Sequence, residues 1–144
     1  MKNYNSKYKI LPHTADLKIQ AYGKTREELF GNTMVGMFES ARYEPASVEA
    51  TVGKEIKKEI KIFSLDLPSL LVDFLSEVLY LSEVNQEVYD DIQFEKFTDK
   101  NIEGILIGKK LKRIGVVIKG VTYHDLQVHQ RKDGIWEATV LFDI

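Results

Sequence analysis

Apolar and polar residues alternate with two different periods along this chain, and its first part contains both. Residues 8–11 and 17–22 are short stretches rich in residues that favour β-strands. Between residues 25 and 41 the apolar side chains recur at helical spacing instead. Thr25 and Glu28 have the spacing of a capping box, which marks the start of a helix. The pattern therefore predicts two short strands followed by a helix.

A second helix is predicted in the middle of the chain. Before it, residues 47–63 alternate apolar with charged side chains, which is typical of strands with one solvated face. Asp66 and Ser64 are both candidates for the helix N-cap, and Pro68 lies in the first turn, where proline is tolerated. The apolar side chains cover a broad arc of this helix, which predicts that it is the central core helix. They are Leu70, Leu71, Phe74, Leu75, Val78, Leu79 and Leu81.

From residue 91 onward the pattern is that of strands. They are predicted at residues 92–97, 104–109, 114–119, 126–130 and 135–142. The last two are separated by a short polar segment that contains Asp133-Gly134, a strong hairpin signal. We therefore expect an α+β fold that forms a single two-layer domain over residues 1–144. In it, two main helices pack on a mostly antiparallel sheet that ends in a C-terminal β-hairpin.

Composition narrows the class of protein. A chain of 144 residues has the size of one domain and can bury a core without disulfides. It has no cysteine, which excludes disulfides, Cys-ligated zinc and iron–sulfur clusters. No stretch approaches the roughly 20 apolar residues of a membrane helix, and the polar start has no signal-peptide core, so we expect a cytoplasmic protein. Twenty basic and 22 acidic residues give a formal charge of -2, so strong direct nucleic-acid binding is not expected.

Two carboxylates near opposite ends of the chain form the first candidate site. Asp16 follows His13 between two predicted strands, and Asp143 directly precedes the last residue, Ile144. With a terminal carboxylate they offer hard oxygen ligands, which suit calcium, magnesium or manganese. The alternative is that Asp16 only stabilises a loop and that Asp143 faces solvent. The residues alone leave both interpretations open.

Other residues that could support chemistry give less specific signals. His13, His124 and His129 lack the spacing of a zinc site, and His129 is expected on the exposed face of its strand. Lys119 follows an apolar run and precedes Gly120. It is either a solvated charge or a donor to a phosphate or to a partner's carboxylate. Neither a nucleophile elbow nor a phosphate-binding loop occurs in the sequence.

The chain resembles the archease family over nearly its whole length, with the motifs in the family's order. They are residues 13–16 (HTAD), 22–23 (YG), the helix start at 25–30 (TREELF), the core-helix run at 70–81 (LLVDFLSEVLYL), residues 119–124 (KGVTYH) and the ending 136–144 (WEATVLFDI). Each motif is short, and their combination is specific to the family.

The resemblance implies an accessory protein and not an enzyme. Archeases are small partners of the RtcB-type RNA ligase, which joins RNA ends in tRNA splicing with GTP and a divalent metal, and they promote its guanylylation and multiple turnover. On this sequence the family's metal ligands fall on Asp16, Asp143 and the terminal Ile144, and its functional lysine falls on Lys119. The resemblance thus implies a bound divalent metal, calcium before manganese or magnesium, and makes Asp16 and Lys119 critical for activation. Lys18 departs from the family, which usually has a small or apolar residue there.

Two other functions are also compatible with the sequence. One is a small metal-dependent hydrolase that uses Asp16 and Asp143 with His124 as general base, although neither a nucleophile nor the signature of a deep pocket accompanies these residues. The other is a chaperone-like or RNA-binding module. Near-neutral charge and the absence of RNA-binding aromatic motifs weaken its RNA version.

Overall fold

The computed structural model describes residues 7–11, 16–47 and 55–144, which contain two helices and eight strands. The helices are α1 (Arg26–Ser40) and α2 (Leu67–Asn85). The strands are β1 (Tyr8–Leu11), β2 (Leu17–Gly23), β3 (Tyr43–Pro45), β4 (Ile56–Phe63), β5 (Glu87–Phe97), β6 (Asn101–Ile114), β7 (Gly120–Gln130) and β8 (Trp136–Asp143). Of the alternating segment predicted at 47–63, the second part is β4, and residues 48–54 lie outside the described part of the chain.

The strands form two antiparallel sheets, so the expected α+β class is confirmed. The first sheet has the order β1-β2-β8-β7, and in the second β6 pairs with β3, β4 and β5. The C-terminal hairpin β7–β8 is also confirmed: the Arg131 N–H donates to the Ile135 carbonyl at 2.8 Å, and Gly134 has the positive φ of 90° that such a turn requires. The sequence analysis expected one sheet, and the structure has two. Each helix contacts both sheets: α1 packs on β2 and β5, and α2 packs on β7 and β5.

Both helices begin where the sequence predicts. The Thr25 hydroxyl accepts a hydrogen bond from the Glu28 N–H at 3.1 Å, which satisfies one of the free amides at the start of α1. In α2 the N-cap is Asp66 and not Ser64, because the Asp66 carboxylate accepts from the Ser69 N–H at 2.8 Å. This hydrogen bond lowers the pKa of Asp66 and keeps it ionised at the positive end of the helix dipole.

The predicted strands at 104–109 and 114–119 are wrong in their boundaries. The structure has one long strand, β6, that ends at residue 114, followed by a loop that leads to β7. After β6 the amides of Gly115 and Val116 donate to carbonyls just after α1, both at 2.9 Å, instead of to a neighbouring strand. The apolar run in this loop resembles a strand in sequence, but only Ile118 is buried.

The core lies where the helices meet the two sheets. Its largest fully buried side chains include five aromatic residues: Phe30, Phe38, Phe74, Tyr89 and Phe142. Because each helix is covered by sheet on more than one side, its buried residues extend beyond a single stripe. Among the described residues, no helix has the length and apolar character needed to cross a bilayer.

Two glycines of α1 differ sharply in their surroundings. A Cβ added at Gly31 would lie 3.6 Å from Cγ2 of Ile92, which is ordinary van der Waals contact. A Cβ added at Gly36 would lie only 2.8 Å from Cγ of Tyr8 in β1. Gly36 therefore allows the edge strand of the first sheet to pack directly on the helix.

These surroundings predict opposite effects for the same substitution. Gly31→Ala should raise the free energy of unfolding by about 0.5–1 kcal/mol, because alanine is the better helix former and no atom must move. Gly36→Ala should lower it by about 1–2 kcal/mol, because the clash with Tyr8 outweighs the same gain in propensity. Urea denaturation of both variants measures the two values, and a stabilised Gly36→Ala variant would contradict the packing of β1 on α1.

Candidate functional site

The two carboxylates predicted as metal ligands lie opposite each other at one end of the first sheet. In the antiparallel pairing of β2 with β8, Leu17 is the partner of Phe142. Asp16 directly precedes Leu17, and Asp143 directly follows Phe142. The register therefore places Asp16 across from Asp143, although the two residues lie near opposite ends of the sequence.

These two carboxylates share the face of the sheet that points away from the helices. Side chains alternate between faces along a strand, and directly paired residues share a face. Phe142 and Val140 of β8 are completely buried against the core. Asp143 is consequently on the outer face, where it is exposed, and Asp16 opposite it is half-buried.

Lys119 is anchored at the same end of the sheet by its backbone. Its N–H donates to the carbonyl of Asp143 at 2.7 Å, and the next residue, Gly120, pairs with Asp143 in the β7–β8 ladder. The preceding Ile118 is buried, and its N–H donates to the Tyr43 hydroxyl at 3.1 Å. Burial raises the pKa of Tyr43, so this hydroxyl stays neutral. The backbone is thus held from both sides while the Lys119 side chain remains exposed.

The donor chemistry at this end of the sheet fits a hard divalent cation. Two carboxylates directly opposite each other on neighbouring strands repel, and a bound cation removes that repulsion. In residues 7–11, 16–47 and 55–144, no group of three or more His, Cys, Asp or Glu side chains could hold a metal ion. Asp16 and Asp143 therefore need a further donor, and Ile144 directly follows Asp143. His13 lies outside the described residues.

The same face carries a second row of charged residues, which the sequence analysis did not predict as part of the site. Lys18 pairs with Leu141, which pairs in turn with Thr122. Lys18 and Leu141 therefore lie two residues further along their strands than Asp16 and Asp143. The Lys18 Nζ lies 3.4 Å from the Asp125 Oδ2, and the His124 Nε2 lies 3.5 Å from the same oxygen. Lys18 and Asp125 are 107 residues apart. No local pattern in the sequence could have indicated their contact.

The described histidines do not join the two carboxylates. His124 is mostly exposed, and its imidazole lies beside Asp125. His129 is half-exposed and lies 3.4 Å from Glu137 on the outer face of the first sheet, so its predicted exposure is confirmed. The arrangement of His124 gives no support to a general base directed at Asp16 and Asp143.

Comparisons with known proteins agree with this architecture. The model of the Archease protein family matches residues 8–144. A protein archease of Methanosarcina barkeri is 39% identical over 153 residues, with 100% of each chain covered. A protein archease of Pyrococcus furiosus is 32% identical, with 92% of this chain and 94% of that one covered.

Two solved structures are also similar. The solution structure of Methanobacterium thermoautotrophicum protein 1598 has a TM-score of 0.67 and 26% identity, and covers 96% of this chain and 99% of its own. A crystal structure from Thermotoga maritima, described as an archease and possible chaperone, has a TM-score of 0.66 and covers 94% of this chain and 96% of its own. At 20% identity the second comparison concerns the fold alone. The matched family model and the identity to curated archeases show that the chain belongs to the archease family.

Proposed function

We propose that this archease activates an RtcB-type RNA ligase, promoting ligase guanylylation and multiple turnover in tRNA splicing and RNA end joining. The observation that supports this proposal is the meeting of Asp16, Asp143 and Lys119 at one end of the first sheet. They come from the ends of three adjacent strands, and they combine two acidic side chains with one basic side chain. Such an edge can present a metal ion and a cationic donor to one partner surface.

In this proposal Asp16, Asp143 and the carboxylate of Ile144 hold a divalent metal. All three donate hard oxygens, which favours calcium before manganese or magnesium and disfavours zinc. When bound, the metal supplies a concentrated positive charge that anionic groups of the partner or its nucleotide can approach. The chain's own contribution is to hold the carboxylates on a rigid strand pair, where their positions are fixed by the backbone ladder.

Lys119 is the cationic donor of the same edge. Its ammonium would contact a phosphate of the ligase-bound nucleotide or a carboxylate of the ligase, both of which form charge-assisted hydrogen bonds with lysine. The hydrogen bonds of Ile118 and Lys119 fix where the side chain starts, so the lysine leaves the backbone next to Asp143. We propose that Asp16 and Lys119 are the residues critical for activation.

Two other functions are outcomes that experiments can separate from this one. A metal-dependent hydrolase would use the same carboxylates with His124 as base, and the names of the relatives describe no catalytic activity. A chaperone-like or RNA-associated binding module is compatible with the description of the Thermotoga maritima protein as a possible chaperone. Neither has a specific contact of this chain in its favour.

The metal site predicts a loss of calcium binding in two conservative variants. Asp16→Asn and Asp143→Asn should each weaken calcium binding by about tenfold or more, because each replaces an anionic ligand with a neutral amide of the same shape. Isothermal titration calorimetry measures the affinity, and added calcium should raise the melting temperature of the parent chain. Extending the chain beyond Ile144 should also weaken binding, because an amide replaces the carboxylate. Unchanged calcium affinity in both variants would refute the proposed metal site.

The activation role predicts folded variants that fail to stimulate the ligase. Asp16→Ala and Lys119→Ala should each reduce stimulation of ligase guanylylation by about tenfold or more, since each removes a charged group from a short-range contact. Lys132→Ala is the matched control, because Lys132 is an exposed lysine in the turn at the far end of the same hairpin. Circular dichroism first establishes that each variant is folded. Full stimulation by both folded variants would refute the mechanism even with the ligase as the correct partner.

An accessory protein should have no turnover of its own. Purified protein mixed with calcium, manganese or magnesium should release no phosphate from GTP or ATP and should not cleave a model phosphodiester, because the sequence contains neither a nucleophile elbow nor a phosphate-binding loop. Parallel reactions with Asp16→Ala distinguish true activity from contamination. Metal-dependent hydrolysis that the parent shows and Asp16→Ala lacks would favour the hydrolase.

A further inference from the structure

Strand β7 carries a bulge close to the proposed metal site. Thr122 pairs with Leu141 and Gln127 pairs with Thr139, so five steps along β7 correspond to two steps along β8. The intervening residues 123–126 form the bulge. Leu141 is only 4% exposed although it alternates with the core residues Val140 and Phe142 and therefore points to the outer face.

An ion pair connects this bulge to β2 across β8. Lys18 is the partner of Leu141 in the β2–β8 ladder, and its Nζ lies 3.4 Å from Oδ2 of Asp125 in the bulge. The Lys18 side chain is 21% exposed and the Asp125 side chain 48%, so the lysine end of this contact is the more shielded one. Asp125 has a φ of 56°, in the left-handed region that an aspartate tolerates but seldom adopts. The bulge is thus shaped to bring its carboxylate to this ammonium.

In the strand register, Lys18 lies close to the proposed metal ligands. Lys18 in β2 and Asp16, which directly precedes β2, are two positions apart, which corresponds to roughly 7 Å in an extended chain. Lys18 is also diagonal to Asp143 across the β2–β8 ladder, and such neighbours are within reach of long side chains. An ammonium released from Asp125 could therefore pair with either carboxylate and would repel an incoming divalent cation.

We infer that Lys18 and Asp125 set the metal affinity of the proposed site, with Asp125 acting as a positioning residue that holds the Lys18 ammonium away from Asp16 and Asp143. The inference rests on the proposed metal site. It concerns a different pair of residues, neither of which would be a metal ligand. Lys18 lowers the affinity by its charge, and Asp125 limits that effect by its contact.

A double-mutant cycle on calcium affinity tests the inference. Calorimetric titrations at one fixed pH compare the parent with Lys18→Gln, Asp125→Asn and the double variant. Lys18→Gln should tighten calcium binding by about three- to tenfold, because a like charge near the ion is removed. Asp125→Asn should weaken binding by a similar factor by releasing the ammonium. The double variant should bind as tightly as Lys18→Gln alone.

The cycle separates the contact from the simple charge of Asp125. If Asp125→Asn weakens binding equally with and without Lys18, the carboxylate acts through its own charge and the inference is overturned. The inference is also overturned if Lys18→Gln leaves the affinity unchanged. Asparagine suits the left-handed backbone at position 125, so the bulge should keep its shape, and thermal denaturation checks each variant.

Two further results complete the test. Asp133→Asn is the matched control, since it removes one negative charge from an ion pair with Arg131 at the far end of the β7–β8 hairpin, and it should leave calcium affinity unchanged. A parent chain that binds none of calcium, magnesium or manganese overturns the metal site and this inference together. A parent chain that binds metal but gives an additive cycle overturns the inference alone.

Discussion

The candidate site depends on the pairing of β2 with β8, which joins strands from opposite ends of the chain. Its register places Phe142 in the core and Asp143 outside, and brings Asp16 directly across from Asp143. A shift by one residue would turn Asp143 towards the helices and Phe142 towards solvent, which would cost both the burial of a phenyl ring and the solvation of a carboxylate. The hydrophobic effect therefore fixes the relative position of two groups that by themselves repel each other.

A second constraint comes from the loop between β6 and β7. Hydrogen bonds from Gly115 and Val116 tie it to the end of α1, and the Tyr43 hydroxyl of β3 holds Ile118. This loop connects the second sheet to the first, so the position of Lys119 is supported by both sheets. The Lys119 N–H also donates to the Asp143 carbonyl, so a backbone hydrogen bond links the residue that carries the cation to one that carries an anion.

Two neighbouring rows of charged residues lie at this end of the sheet. Asp16 and Asp143 form an anionic row, and Lys18 with Asp125 forms a paired row beside it. Charges a few ångströms apart interact, so the Lys18–Asp125 pair can change how strongly a cation is attracted to the two carboxylates. The bulge of β7 matters for this reason, as it supplies the carboxylate that neutralises the lysine.

The sequence by itself determined the helices, most strands and the final hairpin, because capping residues, hydrophobic period and the Asp-Gly turn act over short distances. It also indicated Asp16, Asp143 and Lys119 as candidates, through residue type and family resemblance. It failed at residues 114–119, where an apolar run is held by hydrogen bonds to a distant turn and not by a neighbouring strand. Only the tertiary structure decided that the strands form two sheets and that Lys18 meets Asp125 across 107 residues. Such contacts arise from strand register and a bulge, which depend on packing throughout the domain and leave no periodic signal in the chain.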